Sequence, residues 1–348
     1  MAVLWVAMSG GVDSSVAAAR LVAAGHEVTG VTMQLLPEGE EDGRCCSSDA
    51  VRSAKRVCDR LGIGHYTLNM RDVFARCVVD AFVTEYASGR TPNPCIECND
   101  RVKFAELLAR ARTAGADALA TGHYARIERD RDGVPWLARG RDGSKDQSYF
   151  LYRLTREQLE HVWFPVGDST KAQIRAEAAD LGLPSATRPE SQEICFVPED
   201  AGAFVIEHCP AAGHPGPIVD EHGEVLGAHR GLARYTIGQR KGLGLPGGPW
   251  YVTAIDADTN RVTVAPRSPA DVKTIELTRT VWRPVALTSV DAVVRYRAEQ
   301  VPARVTRPRD GVIELELVHP VSGVAPGQAV VCYSGKRVVG GGVAESTS

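Results

Sequence analysis

Val3-Leu4-Trp5-Val6-Ala7-Met8-Ser9-Gly10-Gly11-Val12-Asp13-Ser14-Ser15 decides how this chain is read. Its first five residues form an apolar run of strand length. Val16 to Ala24 continues as an Ala-rich helix, so the glycines fall at a strand-to-helix turn. Such a turn is an anion site, because the N–H groups at a helix start point outward and glycines let phosphate approach the main chain. At this turn there is neither a Gly-Lys-Ser/Thr nor a G-x-G-x-x-G, so neither of the two commonest nucleotide signatures fits it. Asp13 would by itself repel phosphate, so a bound Mg²⁺ is the natural reason for a carboxylate there. Ser9, Ser14 and Ser15 add hydroxyl donors. The plainer alternative is a Gly-Gly turn feeding a helix capped by Asp13.

Outward from that turn the first two hundred residues alternate strand and helix. Glu27 to Leu35 reads as a strand, Ser48 to Leu61 as a helix, and His65 to Leu68 as a short strand. Helical spacing returns over Asp72 to Tyr86, Arg101 to Arg112 and Lys171 to Leu181, and Asp117 to Thr121 is a further buried strand ending at Gly122-His123. This alternation predicts a parallel sheet with helices on both faces and its ligand beyond the strand C-termini. Met33, near the end of the second strand, would overlook the same crevice.

After about residue 207 Pro and Gly become dense, helical periodicity disappears, and short strands follow: 250–256, 261–265, 292–296, 303–306, 312–318 and 329–333. The expected fold class is α/β: a parallel-sheet domain over 1–207, a small central β domain over 208–272 and a C-terminal β-barrel over 273–348. Gly340-Gly341-Gly342 and the polar tail from Glu345 are expected to fray.

The chain has 348 residues, 44% hydrophobic and 24% charged, as in ordinary soluble proteins. No apolar run approaches a membrane span, and Met1 leads directly into a strand, so a cytoplasmic protein without a signal peptide or membrane partner is expected. The net charge of −3 excludes a generally basic nucleic-acid binder but not a local basic face. Nine cysteines, an odd number, argue against a disulfide framework. Cys58, Cys77 and Cys332 read as small core residues.

Thr91-Pro92-Asn93-Pro94-Cys95-Ile96-Glu97-Cys98-Asn99 is extended by its prolines and leads into a helix with Asn99 or Asp100 as N-cap. Cys98 would then lie at a helix start, near Arg101 and Lys103, where a thiol ionises more readily. Half of a zinc site is the weaker option, because the other close pair, Cys45-Cys46, is adjacent rather than CxxC-spaced. Cys195, in Ser191-Gln192-Glu193-Ile194-Cys195-Phe196, taken alone reads as a buried cysteine.

SGGVDSS, RTPNPCIECN, ATGHYAR, KDQSYFL, SQEICFV, TIGQRKGLG and VSGVAPGQ occur in this order from residue 9 to residue 328. Together they make the chain similar to the bacterial tRNA-specific 2-thiouridylases, a family of the PP-loop ATP pyrophosphatases with an adenine nucleotide alpha-hydrolase-like fold. The resemblance implies ATP-dependent thiolation of the wobble uridine in tRNAs for Lys, Glu and Gln. It implies that Ala7, Met8, Ser9, Gly10, Gly11, Val12, Asp13 and Ser14 bind ATP with Met33 and Gly122. Cys98 would be the nucleophile and Cys195 the persulfide carrier, closing a disulfide bond in each cycle. Asn93, Pro94 and Cys95 would line the target base. His123, Lys145, Asp146, Gln147, Arg295, Tyr296 and Gln328 would contact tRNA. A sulfur donor, such as a cysteine desulfurase or sulfur carrier, would be a partner. Many members have Asp where this chain has Cys95, so a 4Fe–4S cluster on Cys95, Cys98 and Cys195 is an alternative carrier of sulfur. Other readings are a PP-loop synthetase adenylating a small molecule and a non-catalytic, metal-stabilised tRNA-binding protein.

Overall fold

The computed structural model describes residues 1–37, 48–188, 194–197, 200–267, 271–283, 287–309 and 311–347. It divides into two compact units. One holds Met1–Val78, Cys95–Phe196 and Lys336–Val338; the other holds Val79–Pro94, Val197–Gly335 and Val339–Ser348.

The first unit begins β1 (Val3–Ala7), α1 (Val12–Ala23), β2 (Glu27–Gln34), α2 (Ser48–Leu61), β3 (Gly64–Asn69) and α3 (Arg71–Phe74). A π-helical stretch (Ala75–Val79) leads out of it into α4 (Asp80–Ala87), which belongs to the second unit. The chain resumes as α5 (Pro94–Glu97), a second π-helical stretch (Cys98–Leu107), α6 (Leu108–Thr113) and β4 (Ala118–Thr121). The hairpin β5 (Ala125–Arg129) and β6 (Pro135–Arg139), then α7 (Arg156–Glu160), β7 (Val162–Trp163) and α8 (Lys171–Asp180), complete it.

Five strands lie in the order β3-β2-β1-β4-β7, with every pairing parallel. Alternation in β1 buries Leu4 and Val6 against Val16, Ala17 and Ala18 of α1 and Ile174 and Ala178 of α8, all fully buried. Each Leu, Val or Ile side chain so buried contributes about 1.5–3 kcal/mol. Ala7 pairs with both Val31 and Thr121, which sets the C-terminal ends of β1, β2 and β4 side by side. The expected βαβ layout is therefore present, and the glycine turn sits at its predicted edge.

The second unit contains α9 (Ala201–His208) and a sheet of β8 (Gly216–Val219), β9 (Val225–His229), β10 (Tyr251–Asp256) and β11 (Arg261–Ala265). Its strand order is β10-β11-β8-β9, around fully buried Ile218, Val252, Val262 and Val264. The barrel is made of β12 (Val272–Trp282), β13 (Ser289–Val293), β14 (Val301–Arg309), β15 (Val312–Val321), β16 (Ala329–Ser334) and β17 (Arg337–Thr347). The order is β12-β15-β14-β13-β16-β17, and β17 pairs back on β12 to close it.

Three local expectations are corrected. The tail does not fray: Gly340 and Gly341 pair with Trp282 and Val281, and Ser346 pairs with Glu276, because this strand closes the barrel. The strand expected to reach Tyr296 ends at Val293, and Arg297 turns with φ at 63°. The thiol helix starts at Pro94 rather than after Asn99, since proline is well suited to a first helical position, where no N–H is needed.

Candidate nucleotide and thiol site

The glycine turn has the geometry of an anion cradle. Gly11 is the N-cap of α1 and gives no side-chain cap, so the first N–H groups of the helix are left to a ligand or solvent. Gly10 is left-handed at φ 71°, and a Cβ there would stand 2.4 Å from the Ala50 carbonyl oxygen of α2. The serines brace the turn from within. Ser15 Oγ donates to Gly11 O at 2.8 Å and Ser14 Oγ to the same oxygen at 3.1 Å. Ser53 Oγ of α2 donates to Gly10 O at 3.0 Å.

Of the other nucleotide-site residues, Met8 N–H donates to Val31 O at 2.8 Å, and Met33 pairs with Leu68 near the end of β2. Gly122 sits directly under α1. A Cβ on it would stand 2.6 Å from Ser14 N and 2.8 Å from the Asp13 carbonyl carbon, so only glycine permits this approach.

Asp13 does not cap the helix. Both its oxygens accept from Lys171 Nζ at 2.7 Å, and Oδ1 also accepts from Tyr124 Oη at 2.7 Å. Lys171 is 9% exposed. It opens α8 inside a capping box made by Thr170 and Gln173, and α8 is held to α1 by Arg20 on Glu177 at 2.6 Å. Sequence reasoning missed Lys171, Tyr124 and Arg188. A signal was present for Lys171, since a cation at the first position of a helix opposes the macrodipole and needs another reason to be there. Arg188 had none; its Nη1 reaches Gly10 O at 3.5 Å from the far end of the unit's sequence. The ammonium balances the charge that led us to expect Mg²⁺, so Asp13 is engaged by protein donors and fits poorly as a dedicated metal ligand.

The thiols differ in setting. Cys98 is 7% exposed, whereas Cys95 is exposed and Cys195 half-buried. α3 packs on the Cys98–Leu107 helix, and Phe74 of α3 meets Phe196, next to Cys195, edge-to-face at 5.6 Å. One short helix thus supports both the Cys98 helix and the Cys195 segment. Ser191, Gln192 and Glu193 of the second motif, and Cys45-Cys46, lie outside the described residues. Among the described residues no three His, Cys, Asp or Glu side chains converge as a metal cage, so Cys95, Cys98 and Cys195 do not fit a three-thiolate cluster here.

The segment Lys145–Arg153 is a strut as well as a surface. Asp146 is 8% exposed and accepts from Gly140 N, Ser148 N and Ser148 Oγ within 3.1 Å. Gln147 Oε1 accepts from Tyr124 N at 2.9 Å, tying the strut to the tyrosine that holds Asp13. At its other end Phe150 O accepts from Asn99 Nδ2 at 3.2 Å, and Arg153 reaches Glu97 at 2.6 Å. Lys145 is half-buried. His123 is 8% exposed and shares a 2.7 Å hydrogen bond with Thr121 Oγ1. Its burial, reinforced by the Lys103 ammonium, holds the imidazole well below its usual pKa and hence neutral at pH 7. Asp146 and His123 are thus scaffold residues in the first instance.

In the second unit Arg295 is exposed, with its guanidinium over Gly323, and Tyr296 is half-buried under the Arg297 guanidinium. Thr91 N–H donates to Pro326 O at 2.8 Å. This brings the loop of Asn93 and buried Pro94 beside the turn that ends in Gln328, whose own Oε1 accepts from Ala325 N at 3.4 Å.

Comparison with known proteins bears on the fold and the family. Three family models match successive stretches: "tRNA methyl transferase HUP domain" over residues 2–199, "tRNA methyl transferase PRC-barrel domain" over 202–266, and "Aminomethyltransferase beta-barrel domain" over 272–344. The tRNA-specific 2-thiouridylase of Chloroflexus aurantiacus is 49% identical over 98% of this chain and 98% of its own. That of Moorella thermoacetica is 49% identical over 99% of each. Among solved structures, a 4-thiouridine synthetase–RNA complex with bound ATP is similar over 56% of this chain and 45% of that one, at 20% identity and a TM-score of 0.38, too loose a likeness to carry an argument. The domain descriptions speak of methyl transfer, whereas the relatives that match over nearly the whole chain are named for thiolation. With near-complete relatives at this identity, the chain belongs to the tRNA-specific 2-thiouridylase family.

Proposed function

We propose that this protein activates a tRNA uridine with ATP and replaces its C2 oxygen with sulfur. The observation that carries the reading is the sharing of one compact unit by an uncapped glycine turn and two cysteine segments supported by the same helix. A methyl transfer requires neither. The division into 1–207, 208–272 and 273–348 and a cytoplasmic location are part of the same proposal; among the described residues no helix is long and apolar enough to cross a membrane.

In this reading the N–H groups at the start of α1 receive ATP phosphates, and Lys171 offers its ammonium to the charge that develops at the α-phosphorus. Any Mg²⁺ accompanying ATP would be held by its phosphates, since Asp13 is engaged by Lys171 and Tyr124. The uridine O2 attacks the α-phosphorus and pyrophosphate leaves, which converts a poor leaving oxygen into AMP. The terminal sulfur of a Cys195 persulfide, charged by a sulfur donor, then attacks C2 and expels AMP. The Cys98 thiolate attacks the inner sulfur, which breaks the S–S bond, frees 2-thiouridine and leaves a Cys98–Cys195 disulfide for an external thiol to reduce. Extrusion of the base from its stack falls to the Asn93–Pro94–Cys95 segment at the start of α5, and phosphate contacts to Lys145, Arg295 and their neighbours. No step passes through an iron–sulfur cluster.

Incubation with ATP, unmodified tRNA, a cysteine desulfurase and cysteine should release AMP only when tRNA is present and yield 2-thiouridine by nucleoside mass spectrometry. AMP release without tRNA would point instead to adenylation of a small molecule. In Cys195→Ser, thiolation should disappear while tRNA affinity stays within about twofold; retained turnover would remove its role as carrier.

A further inference from the structure

The helix that carries Cys98 also carries two carboxylates within two residues of it in sequence, Glu97 and Asp100, and one guanidinium serves both. Arg153 Nη1 lies 2.6 Å from Glu97 Oε1 and 3.4 Å from Asp100 Oδ2, and Nε donates to Tyr152 Oη at 3.1 Å. The Arg153 side chain is only 11% exposed, and Glu97 and Asp100 are 21% and 22% exposed. Carboxylates at positions i−1 and i+2 from a cysteine oppose its ionisation, while sulfur transfer needs the thiolate. Acids this deep are themselves costly unless a cation is held against them.

The other charged groups around this helix are less committed to the pair. Lys103 Nζ donates to Asn99 Oδ1 at 2.9 Å. Arg101 lies 3.6 Å from Asp100 but is 63% exposed. The packed helices bring Arg71 and Asp72 from α3, and Arg156 and Glu157 from α7, where Gln158 donates to Phe104 O at 2.8 Å. Ser148–Leu151 brings no charge, and nearby His123 is neutral. Burial penalises the Arg153 cation, but Tyr152 and Glu97 more than offset it and raise its pKa.

We propose that Arg153 is a positioning residue for Cys98: by bridging Glu97 and Asp100 it fixes the turn that bears the thiol and cancels the two charges that would suppress the thiolate. Its catalytic value rests on the reading of Cys98 as nucleophile; the electrostatic relation itself can be measured without that reading.

The test is the pH profile of Cys98 alkylation by iodoacetamide in the full chain, followed on the Cys98 peptide by mass spectrometry. Arg153→Met should raise the midpoint by about half a pH unit or more, and Glu97→Gln should lower it by a similar amount. Simple loosening of the helix would move both variants the same way, towards an exposed cysteine. Shifts of equal sign, or no shift in either, would overturn the assignment. Glu97→Gln is isosteric, and a midpoint in it that stays or rises overturns the assignment even if Arg153→Met does not fold. Opposite shifts together with thiolation retained in Cys98→Ser would leave the Arg153 assignment standing and remove the nucleophile reading instead.

Discussion

Lys171 and His123 show how a side chain's role is set by what it faces. Lys171 meets both oxygens of Asp13, 158 positions away, so Lys171→Met removes the cation of the phosphate loop and strands a half-buried carboxylate. AMP release should fall by about 10²-fold or more with tRNA affinity kept, as read by single-turnover AMP formation and filter binding; an unchanged rate would return Asp13 to the role of metal ligand. His123 titrates below its unfolded value because it is buried. The unfolded chain therefore binds a proton near pH 6.5 that the folded chain does not, and stability rises with pH up to about 6.5 and is lost below it. The slope is at most about 1.4 kcal/mol per pH unit. Urea denaturation at pH 5, 6 and 7.5 should show a smaller acid loss in His123→Gln than in the parent; equal losses would exclude this imidazole as the cause.

Elements were legible where one periodicity ran unbroken. Val3–Ala7 alternates cleanly, and the Ala-rich α1 could hardly be anything but a helix packed on that strand. The hairpin β5–β6 was missed because Arg126, Glu128 and Arg129 crowd its first strand with charge. Arg126 and Glu128 pair with each other at 3.0 Å, but Arg129 finds its partner only in three dimensions, Glu160 at 2.6 Å. The thiol helix begins six or seven residues earlier than its expected N-cap implies, because proline reads as a breaker when it is in fact a first-turn residue. Close packing between elements gives a sharp test at Gly122. The atoms a new Cβ would meet are backbone, at 2.6 and 2.8 Å, and cannot swing aside. Gly122→Ala should cost about 1–3 kcal/mol and abolish ATP binding by calorimetry; native affinity would mean that β4 and α1 can part without loss.

At the scale of the molecule, each unit is completed by chain from elsewhere in the sequence: Lys336–Val338 belongs with the first, and Val339–Ser348 with the second. The barrel closes only through the pairing of β17 with β12. A chain ending at Val338 should expose both strand edges, lose amide protection throughout β12 and β16, and associate with rising concentration. Hydrogen exchange and light scattering would detect this, and a monomer with protected β12 would contradict it. The sequence by itself determined the glycine turn, the parallel βαβ unit and the two cysteine motifs, because these depend on local periodicity and on residues close in the chain. Only the tertiary structure decided what surrounds them. Lys171 and Tyr124 on Asp13, Arg153 between Glu97 and Asp100, and the tail as a barrel strand are all long-range pairings. Charge neutralisation and edge closure act through space, and no window of sequence contains both partners.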